Sequence, residues 1–379
     1  MARDETGTTK GNRIYFLDNL RTLIIFLVIL YHAGGVYEAT GMWASFWIVD
    51  DPVTNNISGI LNLIVDIFVM PTLFLISGYL VPMSLKNKNS WEFLKAKFKR
   101  LMVPWIIAAF TLVPLYKVIF LASRNLPQEH WTTYFHFSNG NITGQGHLWF
   151  LPLLFLFNIL YWLSSKANIR IPNISLKGAV LGIFLIGWVY SASVDVFGLR
   201  GWTLTPLLDF QHERILIYFM YFLLGVLCLR LKVFDTKPGN KKLYTIVNSI
   251  SWIPITVYIF FLILPVLSPG AILVSEIIDR VIVWLCFHLS LLCLVYLMLV
   301  TFWRYFDKPG AIWNALNQNS YYVYIIHVIV LGGIGMLLLN TALPSIVKYL
   351  ILIVSTFVAS NLIISIFRKA SSQVTKRSS

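Results

Sequence analysis

Charge is scarce in this chain. Asp, Glu, Lys and Arg supply 12% of its 379 residues, about half the share in an ordinary soluble domain. No hydrophilic stretch is long enough to form a soluble domain of its own, so a water-soluble globular protein is excluded. Cysteine is nearly absent. Cys228, Cys286 and Cys293 fall in or beside apolar runs, with neither pairing nor metal-ligand spacing, and read as small core residues. The sequence has no H-E-x-x-H, no Asp/Glu cluster and no paired cysteines, so no metal site is expected. It has no G-x-S-x-G elbow either, which removes the usual serine-hydrolase arrangement. Internal repeats and low-complexity segments are missing, and no inverted repeat of the secondary-transporter kind is evident.

Apolar residues are abundant, at 58%. They gather into ten runs, roughly 16–36, 58–83, 101–122, 147–164, 178–192, 213–229, 243–267, 277–301, 319–339 and 346–367. Runs of this length span the hydrocarbon core as helices. The expected fold is an all-α polytopic transmembrane helical bundle of about ten spans. A polar tail covers residues 1–15, the membrane domain 16–367, and a basic tail 368–379.

The formal net charge is +14, but its distribution argues against nucleic acid. With the N-terminus inside, 23 of the 30 Lys and Arg residues fall in cytoplasmic segments, while the outer loops hold only Arg124 and Arg200. That is the positive-inside pattern, so both termini are cytoplasmic and the basic balance reports topology. The partner is a lipid bilayer, in an inner or plasma membrane. The first run is a retained helix rather than a signal peptide, because Asp18 and Arg21 lie where an apolar signal core would begin and no A-x-A site follows.

The spans carry ionisable residues, which are costly in hydrocarbon and therefore face a bundle interior. In "FLDNLRTLIIFLVILYH", Arg21 and His32 are eleven residues apart. At 100° per residue they share a helix face about 16 Å apart along the axis, and Asp18 lies on the same face. In "VDIFVMPTLFLISGYLVP", Asp66 and Ser77 repeat that spacing around Pro71, where a kink is expected. Asp66 needs a cationic partner, and Arg21 is the nearest by depth. Ser77-Gly78 permits close approach of another backbone. His147 opens the fourth run beside Trp149, Glu213 and Arg214 open the sixth, and Asp279, Arg280 and His288 lie in the eighth. Ser320, Tyr324 and His327 share one face of the ninth. Together these residues are expected to line one polar chamber.

Histidine is the residue that can accept and return a proton near neutral pH. A single histidine acting as base suits acyl transfer to a hydroxyl, with Arg or Tyr groups steadying the oxyanion. Lys97 and Arg100, at the inner face, suit the phosphates of an acyl carrier. Aromatic and small polar residues fill the outer loops, as in "HWTTYFHFSNGNITGQG", a composition that suits sugar rings or the headgroup level. An exporter or channel for a polysaccharide or small polar solute is the alternative that a polar chamber also allows. A scaffold for partner proteins would need a sizeable patterned surface, which the sequence lacks.

These residues resemble those of the acyltransferase-3 family of integral membrane acyltransferases, within it the branch of glucan biosynthesis C type. The resemblance rests on Arg21-x10-His32, "DIFVMPTLFLISGYL", "KFKRLMVPW", "HLWFL" at His147 and "NSYYVYIIH" ending at His327, in order over nearly the whole chain. It implies an acyl-CoA-dependent enzyme (acetyl-CoA or succinyl-CoA) that acylates a carbohydrate or glycolipid acceptor outside the cytoplasm. It implies an essential role for His32 with Arg21 as its companion; the reading of the residues makes His32 the catalytic base and adds Asp66 to the same centre. Donor binding falls to Arg100, Lys97 and Arg21, and acceptor contacts to His147, Trp149, Arg214, Tyr324 and His327. Many relatives append a soluble esterase-like domain, and none follows before Ser379. Acyl handover is then expected within the membrane or to a separate protein.

Overall fold

The structure is a computed structural model that describes residues 14–40, 46–86, 88–135, 145–167, 174–236 and 240–377. The polar tail before Ile14, the centre of the outer loop 123–146 and the last two residues of the basic tail lie outside the described residues. The helices are α1 (Tyr15–Tyr37), α2 (Asn56–Lys86), α3 (Ser90–Lys97), α4 (Val103–Ser123), α5 (Phe150–Lys166), α6 (Leu176–Val196), α7 (Ile215–Arg230), α8 (Lys241–Ile250), α9 (Trp252–Leu267), α10 (Glu276–Tyr305), α11 (Ala311–Leu338) and α12 (Ser345–Arg377). Among the described residues, nine helical stretches are long and apolar enough to cross a membrane, and α7 is a shorter apolar tenth. These coincide with the ten runs read from the sequence. The protein is a multi-pass helical bundle.

Hydrocarbon forces every backbone polar group to be satisfied within its own helix, so each apolar run closes into a helix. Which helices become central then depends on side-chain size and polarity. The most extensive pairing joins α2 and α7, through two glycines. A Cβ on Gly78 would collide with the Phe222 carbonyl, and one on Gly225 with the Leu75 carbonyl and the Tyr79 amide. Without side chains at these points the backbones touch, which is how helices gain contact in lipid. α1 packs against α2, α11 and α12 and has residues buried all around its axis. α9 lies at the periphery. α2 continues as one helix through Pro71 and Pro82.

At the basic end of the third span, an Asn89–Glu92 capping box starts α3. α3 then passes into α4 through a π-helical turn, Phe98–Met102. The turn carries Arg100, and a wide turn of this kind re-aims the side chains on it. On the outer side, β1 (Trp202–Thr203) and β2 (Phe210–Gln211) form a small antiparallel hairpin between α6 and α7. Cys228 and Cys286 are buried and Cys293 half-buried, all as free thiols.

Candidate functional site

Three histidines from distant parts of the chain meet in the outer half of the bundle. His32 comes from α1, His327 from α11, and His147 from the 3₁₀ turn Gly146–Trp149 that leads into α5. His32 Nδ1 lies 2.8 Å from His327 Nε2. His147 stands over both, with ring centroids 6.3 Å from His32 and 5.1 Å from His327. His327 is fully buried and His147 nearly so.

The hydrogen bonds assign the tautomers of the neutral rings. His327 Nδ1 is 2.6 Å from the Tyr324 carbonyl, which can only accept, so that nitrogen carries the proton. Nε2 of His327 is then the acceptor, and His32 donates to it from Nδ1. The remaining nitrogen of His32, Nε2, holds the basic lone pair. A histidine whose one nitrogen donates to a fixed acceptor is oriented to use the other as a base. His147 donates from Nε2 to the Ile325 carbonyl at 2.8 Å, and the Tyr324 hydroxyl donates back to the His147 carbonyl. Tyr324 and His327 therefore face the histidine group, and Ser320 on the same stripe meets Arg21, as the spacing along α11 predicts.

His147 is aimed by the loop before it. Gly146 adopts φ of +54°, a left-handed conformation that costs glycine little. The Gln145 amide donates to Asp209 Oδ2 at 3.1 Å, and the Thr205 amide to Asp209 Oδ1 at 2.8 Å. Burial pushes the Asp209 carboxyl up from its ordinary range, and those two amides pull it back. Trp149 stands edge-on to Trp202 of the hairpin at 5.5 Å and lies 5.6 Å from Tyr218. An aromatic wall thus runs inward from the outer surface.

Asp66 does not pair with Arg21. Its partner is Arg214 at the start of α7, with Nη2 and Oδ2 2.7 Å apart. The reason is depth: it is Tyr31 of α1 that comes near Asp66, and Arg21 lies ten residues, about 15 Å, further along the same helix. Tyr31 lies close enough to Asp66, and Tyr218 and Tyr258 close enough to Arg214, to couple to the pair electrostatically. The Tyr31 ring lies 5.4 Å from that of His32, so this ion pair flanks the histidine group. Tyr31, Tyr218 and Tyr258 gave no sign of this in the sequence, because tyrosine is common in membrane helices.

Arg21 lies toward the cytoplasmic end of the same α1 face. It pairs with Asp18 at 3.2 Å and donates to Ser320 Oγ at 3.3 Å and the Asn317 carbonyl at 3.4 Å. One residue beyond Ser320, the Tyr321 hydroxyl donates to the Arg100 carbonyl. Arg21 and Arg100 therefore converge on one turn of α11. Lys97 Nζ lies 5.4 Å over the Phe93 ring.

The single chamber expected from the sequence is several centres instead. His288 bonds Ser191 at 3.2 Å. Arg280 joins Asp195 at 3.5 Å, and Asp279 caps the loop before α10 through the Leu273 and Val274 amides. The structure also brings in Trp47, whose ring lies 5.0 Å from that of His32 and is tilted only 19° from it. Trp47 sits in an aromatic outer loop, and no periodicity extends there to mark it.

The sequence profile of the acyltransferase domain family matches residues 14–365. The chain belongs to the acyltransferase-3 family. It is therefore a membrane acyltransferase, with the histidine group at the outer end of the span that carries the family's Arg-x10-His motif. Curated relatives include the glucans biosynthesis protein C of Salmonella paratyphi A and of Salmonella agona. Each is 25% identical over 228 residues, covering 57% of this chain and 58% of the relative. The match thus spans somewhat over half the length of these relatives. No solved structure matches the chain.

Proposed function

We propose that this protein moves an acetyl or succinyl group from cytoplasmic acyl-CoA to a hydroxyl of an extracytoplasmic glycan or glycolipid, with His32 as general base. The acceptor hydroxyl gives its proton to His32 Nε2 while its oxygen bonds to the thioester carbonyl carbon. The tetrahedral intermediate collapses by breaking the C–S bond, and the proton passes from His32 to the departing sulfur. An O-acyl ester and free CoA thiol are the products, and His32 returns to its starting state.

The observation that carries this reading is the relay from the Tyr324 carbonyl through His327 to His32 Nδ1. It fixes the tautomer that a base at Nε2 needs. Support for two-sided access comes from the placing of Arg21, Lys97 and Arg100 toward the basic side of the bundle, and of His147, Trp149, Arg214 and Tyr324 toward the other. The name of the relatives, glucans biosynthesis protein C, points to a glucan-type acceptor. The test follows thiol release by purified protein in liposomes, with acetyl-CoA or succinyl-CoA as donor and crude surface glycan as acceptor. Acceptor-dependent release that falls about 10²- to 10⁴-fold in His32→Ala is expected. No release from either donor, or equal release from the variant, overturns the proposal and favours an exporter.

A further inference from the structure

We propose that Trp47 is a positioning residue for His32, held over the imidazole by an outer segment that the Asp51–Lys348 pair locks against α11 and α12. The kinetic half of this inference rests on the function proposed above; the spectroscopic half does not.

The hydrogen bond from Nδ1 to His327 settles where one nitrogen points, but it does not by itself exclude a flipped ring. The χ2 torsion of histidine is broad and nearly two-fold. A flipped imidazole presents a carbon to His327 and turns the basic nitrogen away from its working direction. A flat indole nearly parallel to the ring, 5.0 Å away, holds the ring's plane and blocks the edge-on passage that tilting or flipping requires. Trp47 is itself buried, so it has little freedom of its own to yield.

The described part of the segment that carries Trp47 is tied at several points. The Arg124 guanidinium donates to the Trp47 carbonyl at 3.0 Å, and the Tyr116 hydroxyl to the Phe46 carbonyl at 2.6 Å. Ile48 and Val49 fill notches on α11 left by Gly332 and Gly335. A Cβ at Gly332 would stand 2.5 Å from the Ile48 side chain. The next anchor is electrostatic. Asp51 and Lys348 approach to 2.9 Å with side chains only 1% exposed on each partner. Lys348 also donates to the Leu339 carbonyl at 3.2 Å, and Asp51 accepts from the Val53 amide at 3.0 Å.

The proposed chemistry has no use for this ion pair. A buried pair gains little stability over well-packed apolar side chains. What it does supply is register, because a slip of the segment by one residue would strand two charges away from water. Four residues from Asp51, the register it sets is the height of Trp47 over His32.

The test compares Trp47→Ala, Trp47→Phe and the charge-free double variant Asp51→Asn/Lys348→Met in liposomes. In Trp47→Ala, kcat for CoA release is expected to fall roughly a hundredfold with KM for acyl-CoA within about twofold, the mark of lost orientation. Trp47→Phe keeps a flat ring and is expected to recover to within about tenfold of wild type. The double variant, distant from His32, is expected to lose kcat in the same direction.

The second readout is magic-angle-spinning NMR of nitrogen-15-labelled histidine, with the His32 signal found by difference from His32→Gln. Wild type is expected to show one tautomer, protonated at Nδ1, and Trp47→Ala a mixture. Unchanged kcat in Trp47→Ala, a rise in KM alone, or an unchanged His32 tautomer overturns the inference. If Trp47→Ala does not fold, Trp47→Phe and the double variant carry both readouts. If wild type releases no CoA, the proposed function fails, and the NMR comparison still decides the role of Trp47.

Discussion

At the scale of single residues, His32 works because of what surrounds it. His327 uses Nδ1 on the Tyr324 carbonyl and so must accept at Nε2. His327→Ala removes that acceptor, and kcat for CoA release is expected to drop by about 10²-fold or more. His327→Gln offers an amide oxygen near the same place and is expected to lose less. Steady-state thiol assays on the two variants check this, and equal losses would contradict an acceptor role. The Asp66–Arg214 pair makes a separate prediction. Arg214 is 8% exposed at the side chain, with Asp66 partly open at 30%. Asp66→Leu strands the guanidinium and is expected to cost about 3 kcal/mol. Asp66→Leu/Arg214→Met removes both charges and should cost less than the single change, as thermal midpoints of the detergent-solubilised proteins would report.

At the scale of elements, the helix pair α2–α7 decides where Arg214 can reach. Backbone meets backbone at Gly78 and Gly225, so Gly225→Ala is expected to destabilise by about 1–3 kcal/mol through overpacking. It should also lower activity, because Arg214 retreats from Asp66. A Gly225→Ala protein with wild-type midpoint and activity would show that the crossing can yield. α1 and α11 form the second decisive pair. Along α11, Asn317 and Ser320 meet Arg21, and His327 meets His32. The expected sharing of one face by Arg21 and His32 holds for this reason. Arg21 as partner of Asp66 does not hold, since Asp66 lies at the depth of Tyr31, about 15 Å along α1 from Arg21.

At the scale of the whole molecule, the bundle has a basic side and an aromatic, weakly charged side. Lys97 and Arg100 are on the first, and Arg100→Gln is expected to raise KM for acyl-CoA about tenfold, as loss of a charge-assisted phosphate bond would. His147 and Trp149 are on the second and should leave that KM unchanged when altered. Sidedness can be read with a membrane-impermeant thiol reagent. Leu126→Cys is expected to react from outside and Ser90→Cys only after permeabilisation. The reverse pattern would invert the topology and with it the assignment of donor and acceptor sides.

The ten apolar runs were legible because hydropathy is a local property, and hydrocarbon leaves a helix as the one economical answer to a long apolar run. An orientation could be expected from the sequence because Lys and Arg counts are local as well. The candidates His32, His147, Tyr324 and His327 could be named because an ionisable or hydroxyl group inside a span stands out against its neighbours. Their meeting in one group, the choice of Arg214 for Asp66, the exclusion of His288 and the placing of Trp47 over His32 were decided by the tertiary structure alone. Each depends on how far one helix is rotated and how closely another approaches. Those quantities are set by glycine contacts and side-chain packing between segments, and no hydropathy or periodicity along the sequence reports them.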